Sequence, residues 1–125
     1  MSKNRNRILF VDDDAELREI VRDQLTAAGY ELDEAADGET AIAKLGSEEY
    51  DLVLLDITMP GATGMDVLKF IKEKSLTSRV IMLTGMVGLS VAIDSMKMGA
   101  DDYITKPYHM EYLVASIKRS LEKAS

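Results

Sequence analysis

Ile8-Leu9-Phe10-Val11-Asp12-Asp13-Asp14 is an unbroken apolar run that ends abruptly in three acids. Four consecutive apolar residues bounded by polar ones suit a strand buried on both faces. The same kind of run recurs at Leu52–Leu55 and Val80–Leu83, with weaker strand candidates at Glu31–Ala35 and Tyr103–Thr105. Helical patterns lie between and after them. Leu17, Ile20, Val21 and Leu25 fall on one helix face, with Asp14 placed to cap its start and Gly29 to end it. Ala41, Ile42 and Leu45 follow a second cap, Asp37, and this helix is predicted to stop before Gly46. A third helix starts near Gly64 with Val67, Leu68 and Ile71. Ala92, Met96 and Gly99 mark a fourth, and Leu113, Val114, Ile117 and Leu121 a fifth. Strict alternation of strand and helix predicts an α/β domain: a parallel sheet with helices on both faces and right-handed crossovers. For five strands the expected order is 2-1-3-4-5, with ligands held at the carboxyl ends of the strands, where strands 1 and 3 meet.

Composition narrows the chemistry. The 125 residues read as one domain, 1–125, with 15 Lys+Arg against 22 Asp+Glu and a net charge of −7. So acidic a chain lacks the basic face that nucleic acid requires, and an anionic membrane surface is disfavoured for the same reason. Absence of cysteine excludes disulfides, thiol catalysis and cysteine-bound metal, and the single histidine, His109, excludes a histidine cage. The start, Met1 to Arg7, is polar and basic, and the apolar run after it is too short for a signal peptide. No stretch approaches the ~20 apolar residues of a membrane span. The expected compartment is the cytoplasm.

The polar residues that close the strands carry the function. Asp12, Asp13 and Asp14 follow strand 1, Asp56 follows strand 3, Thr84 and Gly85 end strand 4, and Lys106 and Pro107 follow strand 5. The predicted topology brings all of them to one rim. Carboxylates gathered there repel: two unit charges ~4 Å apart cost about 4 kcal/mol at an effective dielectric near 20. Such a cluster either takes up protons or binds a cation. A hard, all-oxygen site with few protein ligands suits Mg2+. Metal, ammonium, hydroxyl and carboxylate together describe phosphoryl transfer in which a carboxylate attacks in line.

The motifs Ile8-Leu9-Phe10-Val11-Asp12-Asp13, Leu54-Leu55-Asp56-Ile57-Thr58-Met59-Pro60 with Gly64, Met82-Leu83-Thr84-Gly85, and Gly99-Ala100-Asp101-Asp102-Tyr103-Ile104-Thr105-Lys106-Pro107-Tyr108 resemble a receiver domain of a two-component response regulator. The resemblance runs from Arg7 to about Lys123 and is similar to the chemotaxis member of that family. It implies a flavodoxin-like (βα)5 three-layer sandwich. Position by position, it implies that Asp56 accepts a phosphoryl group from a phosphohistidine on a sensor histidine kinase or histidine phosphotransfer protein. Asp13 and Asp56 would give side-chain oxygens to Mg2+, Thr58 its backbone carbonyl, and Asp12 a hold on a metal-bound water. Lys106 would pair with the phosphoryl group, Thr84 would be the switch hydroxyl and Tyr103 the switch aromatic. Pro107 matches a proline preceded by a cis bond, which orients Lys106. Such a module is not an enzyme beyond catalysing its own phosphoryl acceptance and slow autodephosphorylation. It would signal through helix 4, strand 5 and helix 5, the face also open to homodimer formation. The output would lie in a target protein or in a further domain.

Thr58 and Met86 occupy positions that tune phosphoryl lifetime in the family, and Tyr108 stands where phenylalanine is common. Asp14 reads as a helix cap, His109 as a surface or helix-start residue, and the methionines as core filling, with Met86, Met96 and Met98 a secondary candidate for a contact surface. The chief rival is a haloacid dehalogenase-like phosphatase with Asp12 as nucleophile and Asp14 as general acid. It leaves Asp56 without a role and puts Asp101-Asp102 before a strand instead of after one. A flavin carrier would need a Ser/Thr/Gly-rich phosphate loop where three acids stand. A receiver-like module that takes no phosphate does not need the complete set of acids, threonine and lysine.

Overall fold

The computed structural model describes residues 6–57, 63–85 and 89–122, less the side chains of Thr84 and Leu89. Strand and helix alternate throughout: β1 (Arg7–Val11), α1 (Ala15–Ala27), β2 (Glu31–Ala35), α2 (Gly38–Ser47), β3 (Leu52–Asp56), α3 (Gly64–Glu73), β4 (Arg79–Thr84), α4 (Leu89–Lys97), β5 (Asp102–Thr105) and α5 (Met110–Glu122). All neighbouring strands are parallel, in the order β2-β1-β3-β4-β5. The expected flavodoxin-like architecture and strand order are therefore present, with strand ends within a residue of their predicted places.

Alternation along the central strands feeds two apolar layers. Leu9, Val11, Val53, Leu55, Val80 and Met82 pack with Ala41 and Leu45 of α2 and Val67, Leu68 and Ile71 of α3. Ile8, Phe10, Leu52, Leu54, Ile81 and Leu83 pack on the other side with Val21 and Leu25 of α1 and Leu113 and Ile117 of α5. Each fully buried Leu, Ile or Phe contributes about 1.5–3 kcal/mol relative to exposure. Because β1, β3 and β4 are covered on both faces, their sequences read as continuous apolar runs.

Local chemistry sets the helix starts. Asp14 accepts from the Leu17 amide at 3.1 Å and Asp37 from the Thr40 amide at 2.7 Å. Thr63 and Asp66 form a reciprocal capping box before α3. Gly29 and Gly99 take φ of +100° and +103° just beyond α1 and α4, a conformation that disfavours any side chain. Three expectations need correction. Ile20 is 53% exposed, so the core face of α1 is Leu17, Val21 and Leu25, with Ile20 on its flank. Gly46 lies inside α2, which runs on to Ser47, because a glycine with open space around it ends no helix when the packing of Leu45 continues it. Met96 is 40% exposed; Ala92 and Ser95 form the buried side of α4, and the Ser95 hydroxyl donates to the Ala92 carbonyl at 2.8 Å.

Register then builds the rim. Val11 pairs with Leu55, Asp56 with Leu83 and Thr84 with Thr105, so Asp12, Asp56, Thr84 and Lys106 stand at or one step past the strand ends. Asp12 and Asp56 continue the side of the sheet occupied by Phe10 and Leu54. Gly64 lets α3 close on β3: its amide donates to the Ile57 carbonyl at 3.2 Å, and a Cβ there would collide with the Asp56 carbonyl oxygen and lie 2.9 Å from the Ile57 Cα. Among the described residues no helix is long and apolar enough to cross a membrane. Gly64→Ala should destabilise the domain by about 1–3 kcal/mol, since backbone must move. Gly46→Ala, with nothing within 4 Å of the added carbon, should stabilise it by about 0.5–1 kcal/mol. Urea unfolding of the two variants against wild type checks both signs.

Candidate metal centre

Asp12, Asp13 and Asp56 each offer a carboxylate oxygen, and the three oxygens lie within 4.8 Å of one another. Asp12 is completely buried and Asp56 is 5% exposed, whereas Asp13 faces solvent. Two buried carboxylates with a third at the mouth form an oxygen-lined site of high negative charge, open on one side. That donor set fits a hard divalent cation that keeps some of its waters.

Neighbouring groups fix the acids in place. One oxygen of Asp12 accepts from the Asp14 amide at 2.9 Å, and the other from the Lys106 ammonium at 2.7 Å. The same ammonium stands 3.4 Å from an Asp56 oxygen. Burial alone would lower the pKa of Lys106. The hydrogen bond to Asp12 and the charges of Asp12 and Asp56 outweigh that and raise it above the ordinary lysine value. Behind the cluster the Arg18 guanidinium donates to the Asp12 carbonyl at 2.7 Å and to Glu34 at 3.2 Å, which pins the end of β1 to α1 and β2. Arg18 was no candidate in the sequence; its position four residues after the Asp14 cap, opposite an acidic β2, is the signal that could have marked it.

The remaining predicted site residues divide. The Lys106–Pro107 bond is cis, as the resemblance implied, and Pro107 is exposed. Tyr103 is half-buried and packs on the apolar layer of Val53, Leu55, Val80 and Met82, so its ring sits with the α2–α3 layer and not with the acids. Thr84 ends β4 next to the residue paired with Asp56; its side chain lies outside the described residues, as do Thr58 and Met86 altogether. Asp14 caps α1, and the His109 carbonyl accepts from Tyr112 and Leu113 at the start of α5, both as the sequence suggested. Met98 packs on the core. Tyr108 differs from expectation. Its ring packs against the α1–α5 layer, and its hydroxyl is buried with no hydrogen-bond partner among the described residues. Burial, then the charges of Asp12, Asp56 and Asp14, push this phenol far above its usual pKa.

Comparison with known proteins identifies the family. The family model described as response regulator receiver domain matches residues 8–118. The transcriptional regulatory protein ResD of Bacillus subtilis is 41% identical over 122 residues, covering 98% of this chain and 50% of ResD. The chemotaxis protein CheY of the same organism is 38% identical over 117 residues, covering 93% of this chain and 98% of CheY. A CheY-like receiver domain protein from Methanospirillum hungatei superposes with a TM-score of 0.89 at 35% identity, covering 95% of each chain. The chain spans about half the length of ResD and of the other transcriptional regulators it matches.

Lys106 holds its proton more tightly folded than unfolded, so its contribution to stability is complete below the unfolded lysine pKa of about 10.4 and is lost as pH rises through the higher folded value. In Lys106→Met the alkaline fall in stability should be shallower than in wild type. Denaturant unfolding between neutral pH and the strongly alkaline range measures the difference.

Proposed function

Because the chain belongs to the family of response regulator receiver domains, we propose that it accepts a phosphoryl group on Asp56 from a phosphohistidine and thereby switches a downstream output. Receiver domains are regulatory modules that work with histidine kinases, and relatives such as ResD extend well beyond the matched region. The observation that carries the proposal is the meeting of Asp12, Asp13 and Asp56 within 4.8 Å, with Lys106 bridging two of them.

An Asp56 oxygen attacks phosphorus in line. The O–P bond forms as the P–N bond to the donor imidazole breaks, and the imidazole keeps the electron pair and takes a proton from water. Asp12, Asp13 and Asp56 would hold Mg2+, with the Thr58 carbonyl as a further donor in this reading. When bound, the ion screens the acids and the phosphoryl oxygens from one another. Lys106, already 3.4 Å from Asp56, moves onto a phosphoryl oxygen. Thr84 supplies a hydroxyl to another. The transferred group adds charge and strong acceptor oxygens at one point. Thr84 and Tyr103 then shift together, and Lys106 is steered by Pro107. This biases a pre-existing equilibrium of α4, β5 and α5. Ile93, Met96 and Tyr112, exposed on α4 and α5, form the apolar part of the face that meets an output partner or a second copy. The compartment in this reading is the cytoplasm, where a kinase can deliver the phosphoryl group, and spontaneous hydrolysis resets the switch.

Treatment with a radiolabelled phosphodonor discriminates this reading from the phosphatase alternative. Label should be lost in Asp56→Asn and still form, more slowly, in Asp12→Asn. The reverse pattern would make Asp12 the nucleophile and overturn the proposal. Addition of Mg2+ and beryllofluoride should also move the amide resonances of residues 85–108; an unchanged spectrum contradicts the switch.

A further inference from the structure

Asp13 differs from the other two acids of the rim. Asp12 is held through both carboxylate oxygens, by the Asp14 amide at 2.9 Å and the Lys106 ammonium at 2.7 Å, and Asp56 faces the same ammonium at 3.4 Å. The Asp13 carboxylate is exposed, with no hydrogen-bond or ion-pair partner among the described residues. Its aim is therefore set by the backbone that carries it, through the peptide planes on either side of its Cα. The plane that follows is held by the Asp14 amide, which donates to Asp12 Oδ1. The plane that precedes is the Asp12–Asp13 peptide, whose carbonyl and amide turn as one rigid unit. Its carbonyl oxygen accepts from Arg18 at 2.7 Å.

Arg18 holds that peptide with a directed grip. Its side chain is 18% exposed and forks: Nη1 donates to the Asp12 carbonyl while Nε donates to Glu34 Oε1 at 3.2 Å. The second Glu34 oxygen accepts from Arg22, one turn further along α1, at 2.9 Å. Arg18 is thus anchored by a carboxylate of β2 and turned onto the backbone between two acids. Two donors of one planar group fix a direction, which the single nitrogen of a lysine cannot do. We propose that Arg18 is a positioning residue for the divalent cation: by holding the Asp12–Asp13 peptide it aims the Asp13 carboxylate toward Asp12 and Asp56, so that the ion meets three oxygens already in place. Its charge opposes this role, because a guanidinium beside the rim repels a cation. Loss of Arg18 therefore has two effects of opposite sign on metal affinity, and the positioning effect is the larger. The inference rests on the reading of this rim as a divalent-metal site.

Titration of the protein with Mn2+ alone, followed by the electron paramagnetic resonance of the free ion, tests it. Arg18→Met and Arg18→Lys should each bind Mn2+ about tenfold more weakly than wild type, the lower end of what loss of an outer partner costs a metal site. Arg18→Lys keeps the charge and serves alone should Arg18→Met fail to fold. Equal or tighter binding in the folded Arg18 variants overturns the proposal. Arg22→Met removes a positive charge from the same helix face without touching Asp12, and should bind Mn2+ at least as tightly as wild type. A tenfold loss there too would make the effect a general loosening of the α1–β2 surface and overturn the proposal. In the metal-free protein, the order parameter of the Asp13 N–H, the other half of the held peptide, should fall in Arg18→Lys while that of Val11 stays at its wild-type value. An undiminished Asp13 value contradicts the inference. Wild-type affinity in the Arg18 variants removes this inference and leaves the metal site standing, whereas failure of wild type to bind Mn2+ overturns the metal-site reading itself.

Discussion

Two carboxylates from adjacent strands are held together in a place where water cannot screen them well. Asp12 is wholly buried, Asp56 almost so, and Asp13 adds a third negative charge at the mouth. Left alone, such a group would drive the strand ends apart or take up protons. The Lys106 ammonium, shared between Asp12 and Asp56, is the counterweight, and much of the surrounding structure serves to deliver it. Parallel pairing of β3, β4 and β5 brings Lys106 to the rim from 50 residues beyond Asp56 in sequence. The Asp14 amide and the Arg18 guanidinium fix the Asp12 end, and Gly64 permits α3 to close on the Asp56 backbone.

Beneath that rim the molecule is ordinary in a useful way. β1, β3 and β4 carry apolar side chains into two packed layers, so the platform under the acids is rigid. Charge that would be intolerable in the middle of the sheet is confined to its carboxyl edge, where a single bound cation would change the balance. The energy cost of crowding the acids is the site's working capacity. Any cation that relieves it gains affinity from the relief.

Most of this was legible in the sequence because it rests on patterns with short physical explanations. Buried parallel strands must read as Ile8–Val11 or Leu52–Leu55 do, and acids directly after such runs must collect at one edge. The failures are equally physical. Periodicity placed Ile20 on the core face of α1, but a helix packed on one sheet leaves the flank of its apolar stripe in solvent. Met96 was misplaced because the buried side of α4 is narrow and made of small residues, Ala92 and Ser95. Gly46 looked like a stop signal, although a glycine stops a helix only when the backbone turns left-handed there, as it does at Gly29. Tyr108 looked like a mild replacement for phenylalanine. Whether one hydroxyl has a partner depends on three-dimensional neighbours that no spacing rule encodes.

The central claim is that Asp12, Asp13 and Asp56 grip a single divalent ion. Crystals soaked in Mn2+, which substitutes for Mg2+ in oxygen sites and scatters anomalously, test it directly. The account predicts one strong anomalous peak between Asp13 and Asp56 on the rim shared by β1 and β3, absent in Asp13→Asn crystals treated identically. A peak elsewhere on the acidic surface with none at this rim, or an undiminished peak in the variant, would contradict it.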